Sequence, residues 1–150
     1  SAEAWHLLGA AAASAGDQRS AELCLRKAVE RAPQDAQVRY DLGLVQRELG
    51  EYEAARASFE AAAAADPSFA SAWFSLGRLY QSALSDRARA AECWERYLRL
   101  KPDAPEAPRI REWIDRQRGP AEIRASTAAG GLAPAGGGVR GWGDLFRRGR

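Results

Sequence analysis

The chain has 150 residues, enough for one ordinary domain, and its 46% hydrophobic and 28% charged residues are typical of a globular protein. No apolar run approaches the roughly 18 residues that a membrane-spanning helix needs, which argues against an integral membrane protein. The formal net charge is +2, and it is uneven, because residues 119–150 carry five arginines against two acidic residues. The body is therefore close to neutral and the tail is basic.

The two cysteines, Cys24 and Cys93, have no spacing typical of a metal or redox motif. We interpret them as reduced, buried residues of a cytoplasmic protein. The abundance of Ala, Arg and Gly favours a bacterial coding sequence. His6 is the only histidine, and no oriented Cys–His or Ser–His–Asp set is evident. The sequence therefore predicts no catalytic site, no metal site and no cofactor.

A glycine recurs at a constant interval of about 34 residues, at Gly9, Gly43 and Gly77, which is the period of a helix–turn–helix repeat. The interval divides the chain into three units at 2–35, 36–69 and 70–104. In the third unit the inter-helix turn, 83–86, lacks a glycine and holds one extra residue, which we interpret as a local insertion. The first unit starts in phase at the chain start, which suggests that this chain is the C-terminal piece of a longer array.

Apolar residues mark one face of the first helix in each unit. Trp73 and Leu76 fall at helical spacing, and Trp5 and Leu8 repeat them in the first unit. We expect these bulky residues to fill the layers between repeats. A glycine inside a helix costs about 1 kcal/mol against alanine. Its presence at Gly77 predicts that another backbone comes close there.

Residues 105–118 are predicted to form a capping helix. Ile110, Trp113 and Ile114 make its apolar stripe. Its polar outer face would keep the end of the array in contact with water. The residues predicted to face outward are Arg109, Arg111, Asp115 and Arg116. Residues 119–138 are rich in Gly, Ala and Pro and are predicted to be a flexible linker, and 139–150 form a basic aromatic tail.

These units resemble the tetratricopeptide repeat family, in which Trp, Leu-Gly and Tyr mark the first helix and Ala, Phe, Ala and Pro mark the second. The matching positions are Trp5, Leu8, Gly9, Ala21, Ala28 and Pro33; Leu42, Gly43, Ala55, Phe59, Ala62 and Pro67; and Trp73, Leu76, Gly77, Tyr80, Ala90, Trp94 and Pro102. Arg39 stands in the Trp slot of the second unit. The resemblance implies an all-α, right-handed α-solenoid whose first helices line a concave groove that binds extended or helical peptides.

The resemblance also implies which residues face the groove. They are Glu3, His6, Ala10 and Ala13 in the first unit; Gln37, Tyr40, Asp41, Leu44, Arg47 and Glu48 in the second; and Ser71, Phe74, Arg78 and Gln81 in the third.

Three of these groove residues, Tyr40, Leu44 and Phe74, are bulky and lie outside the repeat pattern. They either contact a partner or pack against the neighbouring second helix. Arg47 and Arg78 are suited to pair with an acidic side chain of a partner.

One subtype of the family grips a C-terminal carboxylate with Lys and Asn. This chain has no Asn, and neither Lys27 nor Lys101 falls at a groove position. That mode of recognition is therefore not expected.

The tail places Trp142, Leu145 and Phe146 on one face of a short helix, followed by Arg147 and Arg148. Three interpretations remain open: a solvated end, a docking motif for another protein or for the chain's own groove, and a basic anchor at a membrane surface.

The sequence as a whole predicts a non-catalytic scaffold or adaptor that binds a protein or peptide in the groove. The alternatives are a membrane- or nucleic-acid-associated protein that uses its tail, or one module of a larger protein.

Overall fold

The computed structural model describes residues 1–128, with side chains described through Gly119. This part of the chain contains helices and no strand, which confirms the predicted all-α fold. The helices are α1 (Ala2–Ser14), α2 (Gln18–Arg31), α3 (Ala36–Glu48), α4 (Tyr52–Ala65), α5 (Ala70–Gln81), α6 (Arg87–Leu100) and α7 (Ala107–Ala128). They pair in sequence, since α1 packs mainly on α2, α3 on α4 and α5 on α6.

A residue with positive φ lies between the two helices of each pair. Gly16 (φ +84°) and Gly50 (φ +77°) occupy this position in the first two pairs, and Ser85 (φ +52°) occupies it in the third. Glycine adopts this conformation freely, whereas a residue with a Cβ loses about 1–2 kcal/mol. In the third turn, which holds one extra residue, a serine therefore adopts the left-handed conformation.

The repeated glycines make room for a side chain of the following helix, and Gly9 also lies close to the backbone oxygen of Ala21. A Cβ on Gly77 would lie 2.2 Å from Trp94 Nε1, and one on Gly43 would lie 2.6 Å from the ring of Phe59. The three atoms nearest to such a Cβ on Gly77 all belong to the Trp94 side chain. A large ring of the second helix thus lies against Gly43 and against Gly77, and the Leu25 side chain lies against Gly9.

The proline that ends each unit accepts a hydrogen bond from the next helix of the array. The bonds run from Arg39 Nε to Pro33 O, from Trp73 Nε1 to Pro67 O (2.9 Å), and from Arg111 Nη2 to Pro102 O (2.8 Å). Arg39, which stands in the Trp slot of the second unit, thus keeps the hydrogen bond that the indole makes in the third. The substitution preserves the connection between units while removing an apolar ring.

The core is larger at the C-terminal end than at the N-terminal end. Phe59, Trp73 and Leu76 are at most 1% exposed and belong to a cluster that reaches from α4 to Ile114 on α7. A second, smaller cluster around Leu25 joins the first pair to α3. The ring-rich cluster therefore supplies most of the buried apolar surface, which is the main favourable term in folding.

Leu8 does not pack as expected, because its side chain is 54% exposed. The equivalent Leu42 and Leu76 are buried, since each contacts the helix pair that precedes it in the described chain. No helix precedes α1 among residues 1–128. The expectation that Leu8 fills a layer between repeats was therefore wrong, and Trp5 is only half-buried for the same reason.

The capping helix α7 buries Ile110 and Ile114 and leaves Trp113 half-buried, while its predicted outward-facing residues are exposed. Gly119 has φ +77° and interrupts the helix, which then continues to Ala128. The predicted flexible linker is therefore helical in its first part, where Pro120 suits a first helical turn and alanines favour the helix. The remainder of the linker and the tail 139–150 lie outside the described residues.

Both cysteines are free thiols and buried, as expected from the sequence. Within residues 1–128, no helix has the length and apolar character needed to cross a membrane.

Candidate functional site

The first helices of the three pairs and α7 lie side by side. His6 on α1 contacts Asp41 on α3, and the hydroxyl of Tyr40 on α3 lies 3.3 Å from Ser75 Oγ on α5. Residues of α5 and α7 line one cleft together. We call the surface formed by α1, α3, α5 and α7 the groove face. The groove residues predicted from the sequence lie on α1, α3 and α5.

At its N-terminal end the groove face carries a polar cluster. Asp41 accepts a hydrogen bond from the side-chain amide of Gln37 at 2.9 Å, and its other oxygen lies 2.6 Å from His6 Nε2. His6 and Asp41 are about one-quarter exposed. Ala10 and Glu3 nearby are exposed. This end of the groove face therefore carries small side chains and acidic groups. One of the acidic groups, Asp41, is already hydrogen-bonded within the chain.

In the middle of the groove face, Tyr40 and Phe74 pack on the core. The ring of Tyr40 lies 5.5 Å from that of Phe59 and 5.1 Å from that of Phe69. The ring of Phe74 lies 5.1 Å from that of Tyr97 on α6. Aromatic pairs at such distances are mutually stabilising.

Leu44 also packs against the core cluster and, like Tyr40 and Phe74, is half-buried. All three side chains therefore support the fold, and only part of each faces solvent.

Arg47 and Arg78 line the same cleft, which has a volume of about 620 Å³ between α3 and α5. Tyr52 and Leu79 contribute to its wall. Arg47 also donates a hydrogen bond of 3.2 Å to Glu48, whereas Arg78 lies 6.0 Å above the ring of Phe74. The structure thus brings together the two arginines that the sequence singled out.

A second cleft, of about 440 Å³, lies between α5 and α7. Phe74, Arg78 and Gln81 line it from α5, and Trp113 lines it from α7. Trp113 also packs edge-on against Trp94, with ring centroids 4.8 Å apart. We call this space the α5–α7 cleft. Arg78 lines both clefts, so it lies between them on the groove face.

Sequence reasoning missed the contribution of α7 to the groove face. Arg109, Trp113 and Arg116 were assigned to the stripe or to the outer surface of a cap, yet all three line the α5–α7 cleft. Their spacing of i, i+4 and i+7 places them on one side of a helix. That periodicity was the signal available in the sequence. The sequence prediction missed this signal because it assigned Trp113 to the apolar stripe and the two arginines to the outer face.

A buried carboxylate elsewhere in the molecule has a structural explanation. Glu60 is 4% exposed, and it accepts hydrogen bonds from the Tyr80 hydroxyl at 2.6 Å and from Arg56 at 2.8 Å. Burial, together with this bond to the Glu60 carboxylate, raises the pKa of Tyr80 above its ordinary value. The guanidinium of Arg89 lies near the same hydroxyl. A buried charge that is paired and hydrogen-bonded in this way joins α4, α5 and α6.

Two observations concern metal binding and thiol reactivity in the part of the chain that the structure describes. No group of three or more His, Cys, Asp or Glu side chains there is placed to hold a metal ion. Burial raises the pKa of the Cys93 thiol, which disfavours the thiolate that a nucleophile requires. The tail residues Trp142, Leu145, Phe146, Arg147 and Arg148 lie outside the described region.

Comparison with solved structures finds the same fold in several proteins. MamA is 28% identical, with a TM-score of 0.64, and the match covers 68% of this chain and 55% of the MamA chain. YrrB, described as a TPR protein with an unusual peptide-binding site, is 23% identical, with a TM-score of 0.68 and coverage of 74% and 57%. The TPR2B domain of yeast Sti1, in a complex with pHsp70, is 22% identical, with a TM-score of 0.67 and coverage of 75% and 92%.

No curated protein matches the chain significantly. Two family models do match, and both are described as tetratricopeptide repeat. The first covers residues 6–67 and 40–83, and the second covers residues 70–104. These matches span more than half of the chain and agree with the three helix pairs and the 34-residue interval. The chain therefore belongs to the tetratricopeptide repeat family.

Proposed function

We propose that this chain is a protein–protein interaction module that binds a peptide or an extended segment of a partner on its groove face. The observation that carries the proposal is the pair of neighbouring clefts on the groove face, which are lined by Arg47, Arg78 and Trp113 and share Arg78. Two structural neighbours are described by peptide or protein binding, YrrB and the Sti1 domain, and this supports a similar use of the fold. The module has no catalytic activity of its own.

The groove residues fall into two groups, those that pack on the core and those that face solvent, and this agrees with the proposal. Tyr40, Leu44 and Phe74 hold the helices together and fix the floor of the groove face. Arg47 and Arg78 stand above that floor, where they can pair with a partner without leaving a buried group unsatisfied. A binding surface built on rigid elements loses less conformational entropy on association.

Charge reversal of two groove arginines tests the proposal. Peptides are first selected from a phage-displayed library on the intact chain, and their affinity is then measured for Arg47→Glu/Arg78→Glu. We expect a loss of about tenfold or more, since each reversal places like charges at a contact. The matched control is Arg31→Glu/Arg99→Glu, which reverses two exposed arginines on α2 and α6 outside the groove face.

The control variant should keep the affinity of the wild type. Equal binding by the groove variant and the wild type would place the peptide site elsewhere and overturn the proposal. Circular dichroism is used to check that both variants are folded. We expect that they are, because Arg47 is ion-paired only at the surface and such pairs contribute little to stability.

The tail remains a separate proposal. Residues 139–150 either are a solvated end, dock in the chain's own groove near Glu3, Asp41 and Glu48, dock on another protein, or lie on a membrane surface. Amide exchange in α1 and α3 after deletion of the tail separates docking in the groove from the other possibilities, and co-sedimentation with vesicles separates membrane binding from the rest.

A further inference from the structure

The α5–α7 cleft has an apolar floor that is held in place by packing. Phe74 is fixed against Tyr97, Trp113 against Trp94, and Ile110 is only 6% exposed. These rings do not need to rearrange to accept a ligand. The volume of about 440 Å³ lies within the range of roughly 300–1,000 Å³ typical of ligand pockets. It is large enough for a bulky apolar side chain with part of the backbone on each side.

Arginines stand at the rim of this floor. Arg78 lies 6.0 Å above the Phe74 ring, and Arg109 and Arg116 line the opposite wall. No carboxylate of the described residues lies within ion-pairing distance of Arg78 or Arg109, whereas Arg116 lies 3.8 Å from Glu112. Two guanidinium groups at the rim are therefore available to a ligand. A guanidinium binds a carboxylate through two parallel hydrogen bonds.

The acidic residues of the cleft are less available. Glu106 accepts a short hydrogen bond from the hydroxyl of Tyr97, and this bond lowers the pKa of Glu106. Glu112 is the partner of Arg116. The residues that line the cleft therefore carry a net positive charge, with three arginines against two glutamates. Arg87, which lines an adjoining cleft with Trp113, adds positive charge next to it.

From this arrangement we infer that the α5–α7 cleft is a subsite for an acidic segment of a partner protein that carries one large apolar side chain. The apolar side chain enters between Phe74 and Trp113, and carboxylates on either side of it pair with Arg78 and Arg109. The inference deepens the proposed function and rests on it. It depends on internal acidic side chains and not on a chain end.

The charges argue against two other occupants. The chain's own tail carries Arg147 and Arg148, which would meet arginines of the same sign. Nucleic-acid binding draws on many phosphate contacts, whereas this cleft combines three arginines with two glutamates. An acidic peptide with one or two carboxylates beside an apolar residue matches the cleft more closely.

Fluorescence anisotropy with short synthetic peptides tests the inference. All probes are acetylated and amidated, so that no terminal charge contributes. The first contains a tryptophan flanked by aspartate and glutamate, the second replaces the tryptophan by serine, and the third replaces the acidic residues by lysine. An oligothymidylate serves as the nucleic-acid probe. We expect the first probe to bind and the others to bind at least about tenfold more weakly.

Two variants of the intact chain complete the test. Arg78→Gln/Arg109→Gln should weaken the first probe by about tenfold and abolish its preference over the lysine probe. Arg31→Gln/Arg99→Gln should change neither. Both positions in the cleft are exposed, so neutral substitutions are expected to leave the fold intact. Equal binding of the first probe to both variants, or tighter binding of the lysine probe or the oligonucleotide, would overturn the inference.

The result is separable from that of the proposed function. If library-selected peptides depend on Arg47 and Arg78 while the acidic tryptophan probe neither binds nor competes with them, the groove is used but this subsite is wrongly assigned. If neither the selected peptides nor the probe depends on groove arginines, both proposals fail.

Discussion

At the scale of single residues, the glycines in the repeat pattern are explained by the rings that lie on them. Gly77 admits the indole of Trp94, and Gly43 admits the ring of Phe59. Neither glycine is needed for backbone conformation, since both lie inside helices. Their role is steric, and this makes the effect of adding a methyl group predictable.

Alanine at these positions should destabilise the chain in a definite order. Gly77→Ala and Gly43→Ala place a Cβ 2.2 Å and 2.6 Å from a buried ring, and we expect each to lower the free energy of unfolding by about 1–3 kcal/mol. Gly9→Ala serves as the control. Its Cβ would lie 2.8 Å from Leu25 Cγ and 3.3 Å from Ala21 O, and we expect a smaller loss there because these distances are longer than those at Gly77 and Gly43.

Urea unfolding of the three alanine variants measures the order. Equal stability of Gly77→Ala and the wild type would contradict the steric account. So would a larger loss for Gly9→Ala than for Gly77→Ala.

Tyrosine ionisation should limit stability at alkaline pH. Burial and the hydrogen bond to Glu106 raise the pKa of Tyr97 to about 12, while a tyrosine in an unfolded chain titrates near 10. Because the folded state holds its proton more tightly, this contribution to stability is complete below about pH 10 and is lost as the pH rises towards 12. The raised pKa of Tyr80 acts in the same direction.

We therefore expect the free energy of unfolding to fall less steeply above about pH 10 in Tyr97→Phe than in the wild type. Tyr52→Phe is the control, because Tyr52 is 43% exposed and its hydroxyl makes no hydrogen bond within the described residues. Urea unfolding at a series of pH values gives the slopes. Identical slopes for Tyr97→Phe and Tyr52→Phe would contradict the assignment.

At the scale of elements, the helix pairs were predictable because the same pattern recurs in phase. Gly9, Gly43 and Gly77 set the interval, and Pro33 and Pro67 follow the same step. The insertion in the third turn was also visible from the spacing. That Ser85 would take the left-handed position was not visible, because a turn without glycine does not show which residue adopts positive φ.

The capping helix shows where periodicity is insufficient. The helix and its buried Ile110 and Ile114 were predicted, although the predicted range began at residue 105 and the helix begins at Ala107. The continuation of the helix beyond Gly119 was not predicted, because Gly and Pro usually end helices. Here Gly119 ends one helical segment and Pro120 begins the next. The cleft formed with α5 was missed because it depends on how two helices distant in sequence are placed, and a single helix pattern does not contain that information.

At the scale of the whole molecule, the two ends of the described chain differ in their packing. The large aromatic cluster lies towards α5, α6 and α7, and the clefts of the groove face lie at the same end. The first pair has the smaller core and exposes Leu7 and Leu8. The assignment of residues to the groove rests on the family resemblance and stays a prediction, whereas the two clefts could be found only from the structure.

The groove face also differs in charge from one end to the other. Glu3 and Asp41 lie at the end formed by α1 and α3, and Arg78 and Arg109 lie at the end formed by α5 and α7. A bound segment with acidic residues at one end would therefore have a preferred direction. Electrostatic complementarity of this kind sets orientation and specificity more than affinity.

The most direct test of the account is to locate the bound peptide. A photo-reactive benzoylphenylalanine is introduced singly at Gln81, which is exposed on the groove face, or at Ala57, which is exposed on α4 outside it. Each protein is irradiated with a library-selected peptide, and the products are analysed by mass spectrometry. The account predicts cross-linking from position 81 and little or none from position 57. Cross-linking from position 57 that equals or exceeds that from position 81 would contradict it.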